Sequence, residues 1–173
     1  MLIAPAVQEV SLHGRAADRA AVAALLEAAA SCRGGALVLT ASPGAGRTAF
    51  LRAVAASAAG WTVLSAPGHA DEAGLPYAGL QRLLAPLGET LPRTDELALA
   101  GVVVARLRGT RRRLLCLLDD AHLLDPASWR VLRLAARRLD GVPAVVLASV
   151  PATADGYQRA AGLPQRRLPL LGD

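Results

Sequence analysis

The chain has 173 residues, 53% of them hydrophobic, 19% charged and only 3% aromatic, with a formal net charge of +5. That length suits one domain with a real core, and that hydrophobicity excludes intrinsic disorder. All 19 cationic side chains are arginine and none is lysine, which excludes Schiff-base chemistry and the lysine usual in a phosphate-binding loop.

In chain order, Ala16–Ser31 is Ala/Leu-rich with Asp18, Arg19 and Glu27 on its polar side, and reads as an amphipathic helix. Arg33-Gly34-Gly35 ends it. Ala36–Ala41 is a short apolar run, the pattern of a strand buried on both faces of a parallel sheet. A Gly/Pro turn leads to a helix over Arg47–Ala59, and Trp61–Ala66 reads as a second strand. Pro76–Leu87 and Thr94–Leu107 read as helices, and Arg113–Asp119 as a third strand. Pro126–Leu139 is a helix with proline at its first position, where no N–H is needed. Pro143–Val150 is a fourth strand, and Arg167–Leu170 a short fifth. Strands alternating with helices predict an α/β fold with a mostly parallel sheet of about five strands.

The segment Ala41-Ser42-Pro43-Gly44-Ala45-Gly46-Arg47-Thr48 sits between the first strand and a helix. Gly44 and Gly46 allow the backbone to turn N–H groups inward toward an anion. The helix that starts near Arg47 adds its positive dipole end. Pro43, Gly44, Ala45, Gly46, Arg47 and Thr48 are therefore the expected phosphate-binding residues, with Thr48 placed to hold magnesium. Arg47 stands where a lysine is usual. Its planar guanidinium forks its donors, so the exchange is not conservative. About 70 residues later, Leu114–Leu118 runs into Asp119 and Asp120. Buried strand ends with paired acids are costly unless a cation or hydrogen bonds meet them. Asp119 is expected to hold magnesium and Asp120 to polarise an attacking water as the catalytic residue. The alternative is an ordinary strand-to-helix turn followed by a helix-capping aspartate.

These residues resemble the N-terminal nucleotide-binding domain of large ATP-binding LuxR-type transcriptional regulators of actinobacteria, in the STAND branch of the AAA+ ATPases. The similarity runs over nearly the whole chain. Leu12-His13-Gly14-Arg15 looks like the entry motif beside the adenine pocket, Ala36–Leu51 like the phosphate loop, Gly74–Leu84 like a segment distinctive of these regulators, and Leu117–Ser128 like the magnesium strand. The resemblance implies a three-layer P-loop NTPase core over residues 1–173 and ATP or ADP with Mg2+ as cofactors. It also implies Arg15 at the nucleotide, and a role as a regulatory switch. It further implies partnership with other domains of a larger regulator or self-association, DNA contact only through a helix-turn-helix output domain outside these residues, and no membrane. Two positions depart from the pattern. Arg47 replaces the lysine, and Ser149 is followed by Val150 where an arginine often senses the outer phosphate. Hydrolysis is therefore expected to be weak or absent. A slow active ATPase and an interaction domain without nucleotide remain open as alternatives.

Other features read as structural. Arg106, Arg108, Arg111, Arg112 and Arg113 form a basic cluster, and Arg130, Arg133, Arg137 and Arg138 share a helix face. Both read as solvated surface, with DNA or an acidic partner as the other reading. His13, His69 and His122 lack metal-ligand spacing, and Cys32 and Cys116 read as reduced thiols. Met1–Val10 lacks a basic start followed by a long apolar run, and no run reaches about 18 apolar residues, so a cytoplasmic chain without a membrane span is expected.

Overall fold

The computed structural model describes residues 15–88 and 90–170. Five parallel strands form one sheet: β1 (Gly35–Ala41), β2 (Thr62–Ser65), β3 (Leu114–Leu118), β4 (Ala144–Pro151) and β5 (Gln165–Arg167). Their order across the sheet is β2-β3-β4-β1-β5. β1 runs beside β4 from Gly35–Val145 to Ala41–Pro151, and β3 runs beside β4 from Leu114–Ala144 to Leu118–Ala148. This order brings the carboxyl ends of β1 and β3 to either side of the end of β4.

The helices are α1 (Ala16–Ala30), α2 (Arg47–Ser57), α3 (Ala78–Leu84), α4 (Glu96–Gly109), α5 (Pro126–Ala136) and α6 (Ala154–Ala160). Alternate strand residues point to opposite faces of the sheet, so two cores form. Val22 of α1 and Phe50, Leu51 and Val54 of α2 pack with Leu39, Leu115, Leu117, Val145 and Leu147. On the other face, residues of α3, α4 and α5 pack with Val38, Leu114, Cys116, Leu118, Val146 and Ala148. The sheet is covered on both sides, which is why β3 and β4 carry almost no polar side chains. Burying each such Leu or Val contributes about 1.5–3 kcal/mol. Among the described residues, no helix is long and apolar enough to cross a membrane.

Most predicted elements form with ends shifted by one to three residues, and three differ in kind. The helix expected over Pro76–Leu87 is α3 followed by a 3-10 turn at Ala85–Leu87, which holds Pro86. The fifth strand is Gln165–Arg167, bonded to Val38–Thr40 and earlier than the expected Arg167–Leu170. An unexpected helix, α6, lies between β4 and β5, started by Thr153, whose hydroxyl accepts from the Gly156 N–H at 3.2 Å. Both arginine groups do structural work. Arg130 forks onto Glu96 at 2.7–2.9 Å, tying α5 to α4, and Arg106 bonds the Thr90 carbonyl at 2.8 Å.

Asp125 fixes the segment before α3 to the start of α5. It is 2% exposed and accepts from the backbone N–H groups of Ser128 (2.8 Å), Tyr77 (2.8 Å) and Gly79 (3.0 Å). Ser128 Oγ accepts from Leu80 N at 2.8 Å, so two side chains of α5 satisfy the first amides of α3. Burial pushes the Asp125 carboxyl up, but the bonds from Ser128, Gly79 and Tyr77 outweigh it and hold its pKa below the ordinary 3.8. A depressed folded pKa stabilises fully above the unfolded value, and that contribution is lost as pH falls through the folded one. Replacing Asp125 with Ala should cost about 3 kcal/mol or more in urea unfolding, because three backbone donors lose their acceptor. It should also remove part of the wild type's loss of stability below pH 3.8. A cost under about 1 kcal/mol would contradict this role.

Candidate functional site

β1 ends at Ala41 with its carbonyl bonded to Ala152 N at 2.8 Å, which anchors the start of the loop to the end of β4. Gly44 and Gly46 take φ of 80° and 73°, a left-handed backbone that favours glycine. Gly46 is the N-cap of α2 and supplies no capping side chain, and the first turn holds no acid. By contrast, α4, α5 and α6 are each capped by a side chain, from Asp95, Asp125 and Thr153. The amides at the start of α2 therefore face an open cavity of about 360 Å³ without a protein carboxylate to satisfy them. Ser42, Gly44, Ala45, Gly46, Arg47, Thr48 and Arg52 line that cavity. Gly44 and Thr48 are exposed within that lining and Ala45 is buried, while Pro43 is exposed but does not line the cavity.

Arg15 reaches the loop from below. It is 1% exposed and donates through Nη2 to the Ala45 carbonyl and, at 3.2 Å, to the Pro169 carbonyl. Its guanidinium lies 5.7 Å from the centroid of the Phe50 ring. It braces the underside of the loop and the chain after β5. Leu12, His13 and Gly14 of the expected entry motif lie outside the described residues.

The expected acids stand across from the loop. Asp119 follows β3, and Asp120 adopts a left-handed backbone with φ 47°, a conformation that aspartate tolerates better than most residues. Asp120 Oδ1 lies 2.9 Å from Arg47 Nη2. The structure thus joins a departure in the motif to one of its expected parts: the arginine of the loop is paired with the acid expected to polarise water. Asp119 Oδ1 accepts from Ser149 Oγ at 2.5 Å and from Asp120 N at 3.0 Å. Ser149 Oγ in turn accepts from Asp120 N at 3.0 Å. Ser149 is fully buried at the end of β4. The sequence marks Ser149 only as the residue before Val150, where a phosphate contact is expected, and does not assign it to the acids. The signal was a lone serine in a strand of Val, Leu and Ala, at the end that faces the loop.

His122 stands beside this cluster, its Nδ1 4.0 Å from Asp120 Oδ1. Burial lowers its pKa, Asp120 opposes that, and Arg47 and Arg159 add to the lowering, so it is neutral at physiological pH. Arg52 was likewise not singled out in the sequence, because its distance from the loop along the helix hides its place at the cavity.

The donor set can be compared with its expected ligands. Arg47 Nη1 is buried and has no hydrogen-bond partner among the described residues. A nucleotide phosphate fits the open amides of α2, and a turn of the Arg47 side chain would bring Nη1 from its buried position to the same anion. Magnesium meets competition at the acids. It takes one or two carboxylates besides waters and phosphate oxygens, and here Asp119 Oδ1 already accepts two hydrogen bonds and Asp120 Oδ1 is paired with a guanidinium. Among the described residues, no three His, Cys, Asp or Glu side chains gather as a metal site.

Replacing Ser149 with Ala removes the hydroxyl that Asp119 accepts from in a buried setting. A loss of about 1–2 kcal/mol in chemical denaturation is expected. No change in stability would mean that the hydroxyl does not hold the acids.

Comparison with known proteins follows this geometry. The family profile for the AAA ATPase domain matches residues 11–147. The fold is similar to that of the Aeropyrum pernix ORC2 protein in its ADPNP-ADP complexes, with a TM-score of 0.63 and 19% identity over 97% of this chain and 50% of that one. It is similar to Cdc6p from Pyrobaculum aerophilum, with a TM-score of 0.61 and 17% identity over 95% and 48%. Drosophila ORC bound to DNA gives 0.62 and 20% over 91% and 43%. The chain spans about half the length of these structures or less. No curated protein sequence matches it. With an α/β P-loop NTPase-type sheet, a glycine loop before α2 and a match over most of its length, the chain belongs to the AAA ATPase domain family.

Proposed function

We propose that residues 1–173 form the single nucleotide-binding core of a cytoplasmic LuxR-type transcriptional regulator. The core binds ATP or ADP at Pro43–Thr48 and hydrolyses ATP weakly or not at all. The observation that carries this reading is the 2.9 Å pair between Arg47 and Asp120. The Asp120 oxygen bonded to the guanidinium is not free to orient a water, so the residue expected to position the nucleophile is engaged elsewhere. The loop itself keeps its phosphate-binding parts: two left-handed glycines, open amides at the start of α2 and the orphaned Nη1 of Arg47. A solved relative described as ADPNP-ADP complexes supports the nucleotide class.

The regulator reading rests on the resemblance of Gly74–Leu84 and Leu117–Ser128. Their contacts support it, because Asp125 and Ser128 bond that first segment directly to the strand-to-helix turn that carries the acids. A change at Asp120 therefore has a short physical path to α3. In a switch of this kind, nucleotide shifts the balance between two conformations only by its difference in affinity for them. Further domains of the regulator, or a second copy, would read that shift, and DNA would be met by an output domain.

Calorimetric titration of ATP and ADP with magnesium tests the reading. The wild type should bind weakly, and Arg47→Lys should bind about tenfold tighter, a gain of about 1.4 kcal/mol. Phosphate release at saturating ATP should match buffer. Tight wild-type binding that weakens in Arg47→Lys, or clear turnover, would contradict it.

A further inference from the structure

We infer that this loop binds the nucleotide without a divalent cation, with the guanidinium of Arg47 in the cation's place between acid and phosphate. The inference rests on the nucleotide-binding reading above and specifies its cofactor requirement.

A divalent ion in such a site does two things. It neutralises charge on the phosphates, and it separates those phosphates from nearby carboxylates. Here the protein's own side chains do both. Arg47 Nη2 already neutralises Asp120 Oδ1 at 2.9 Å. Its Nη1, on the same rigid fork, is buried and lacks a hydrogen-bond partner among the described residues. A guanidinium can hold a carboxylate with one arm and an anion with the other, which a point-charge ammonium does less well. The remaining acid, Asp119, is shielded by the Ser149 hydroxyl at 2.5 Å and the Asp120 N–H at 3.0 Å. Arg52 adds a second cationic side chain to the cavity lining. Charge that a metal would bring is therefore built into α2, and one oxygen of each acid is already engaged by the protein.

The structure also explains why arginine and not lysine completes this arrangement. Five N–H donors in a plane allow Arg47 to remain paired to Asp120 while a further donor is presented. A lysine carries its three donors on one nitrogen, so acid and phosphate would crowd a single point charge and a metal would help to hold them apart.

The experiment is calorimetric titration of ATP into the full 173-residue chain, once with excess magnesium and once with EDTA. Arg47→Lys is run in parallel and its fold checked by circular dichroism. The expected result is a wild-type Kd that changes less than about threefold between the two conditions, with Arg47→Lys at least about tenfold weaker in EDTA than in magnesium. Wild-type binding that needs magnesium would overturn the inference and leave the nucleotide-binding reading standing. The same magnesium independence in Arg47→Lys would also overturn it, because Arg47 would not be the cause. No binding of ATP by the wild type in either condition would overturn the underlying reading.

Discussion

The guanidinium of Arg47 and the carboxylate of Asp120 meet across the carboxyl end of the sheet from positions 73 residues apart. The meeting depends on strand order. β4 lies between β1 and β3, so the turn after β1 and the turn after β3 flank the end of β4. Ser149 occupies that end and ties the acids to it. In parallel α/β sheets, ligands bind outside the carboxyl ends of the strands, and here an ion pair crosses that region beside the open loop. The common role of a P-loop cation is to reach outward to a phosphate. This one is shared with an acid of its own fold.

Much of the remaining structure keeps the two partners in register. Arg15 is buried under the loop and holds the Ala45 carbonyl, with the Phe50 ring beside it. Asp125 and Ser128 do the equivalent on the acid side, fixing α3 to the start of α5. Buried charges without partners are expensive; Asp125 meets that cost with backbone amides, and Arg15 in part, through Nη2 to backbone carbonyls and Nη1 4.0 Å from Asp18 Oδ2. The result is two loops pinned from beneath by side chains that do not reach the cavity, and an upper surface on which Arg52 and Thr48 are exposed.

The sheet was largely legible in the sequence because its strands are buried on both faces. Leu114–Leu118 and Ala144–Val150 leave no polar alternation to misread. The loop was legible through Gly44 and Gly46, and Asp119 and Asp120 through their place at the end of an apolar run. What could not be read was lateral. Nothing in the spacing says that Arg47 turns to Asp120, because that contact follows from strand order. Arg15 enters by resemblance, and its burial under the loop and bond to the Ala45 carbonyl could not be read from the sequence. Ser149 was hidden because a serine in a strand carries no pattern of its own. The fifth strand lies at the sheet edge, where Gln165–Arg167 is mostly exposed and the hydrophobic pattern is absent, and α6 holds a glycine that weakens its local signal.

The central claim is that Arg47 and Asp120 form a working pair. A double-mutant cycle with Arg47→Gln, Asp120→Asn and both together, read by urea unfolding at low ionic strength, measures it directly. With side-chain exposures of 17% and 38%, solvent screens the pair in part. The coupling should therefore be modest, about 0.5–1 kcal/mol, and should shrink as salt is added. Additive single effects, with no coupling at low salt, would contradict the account.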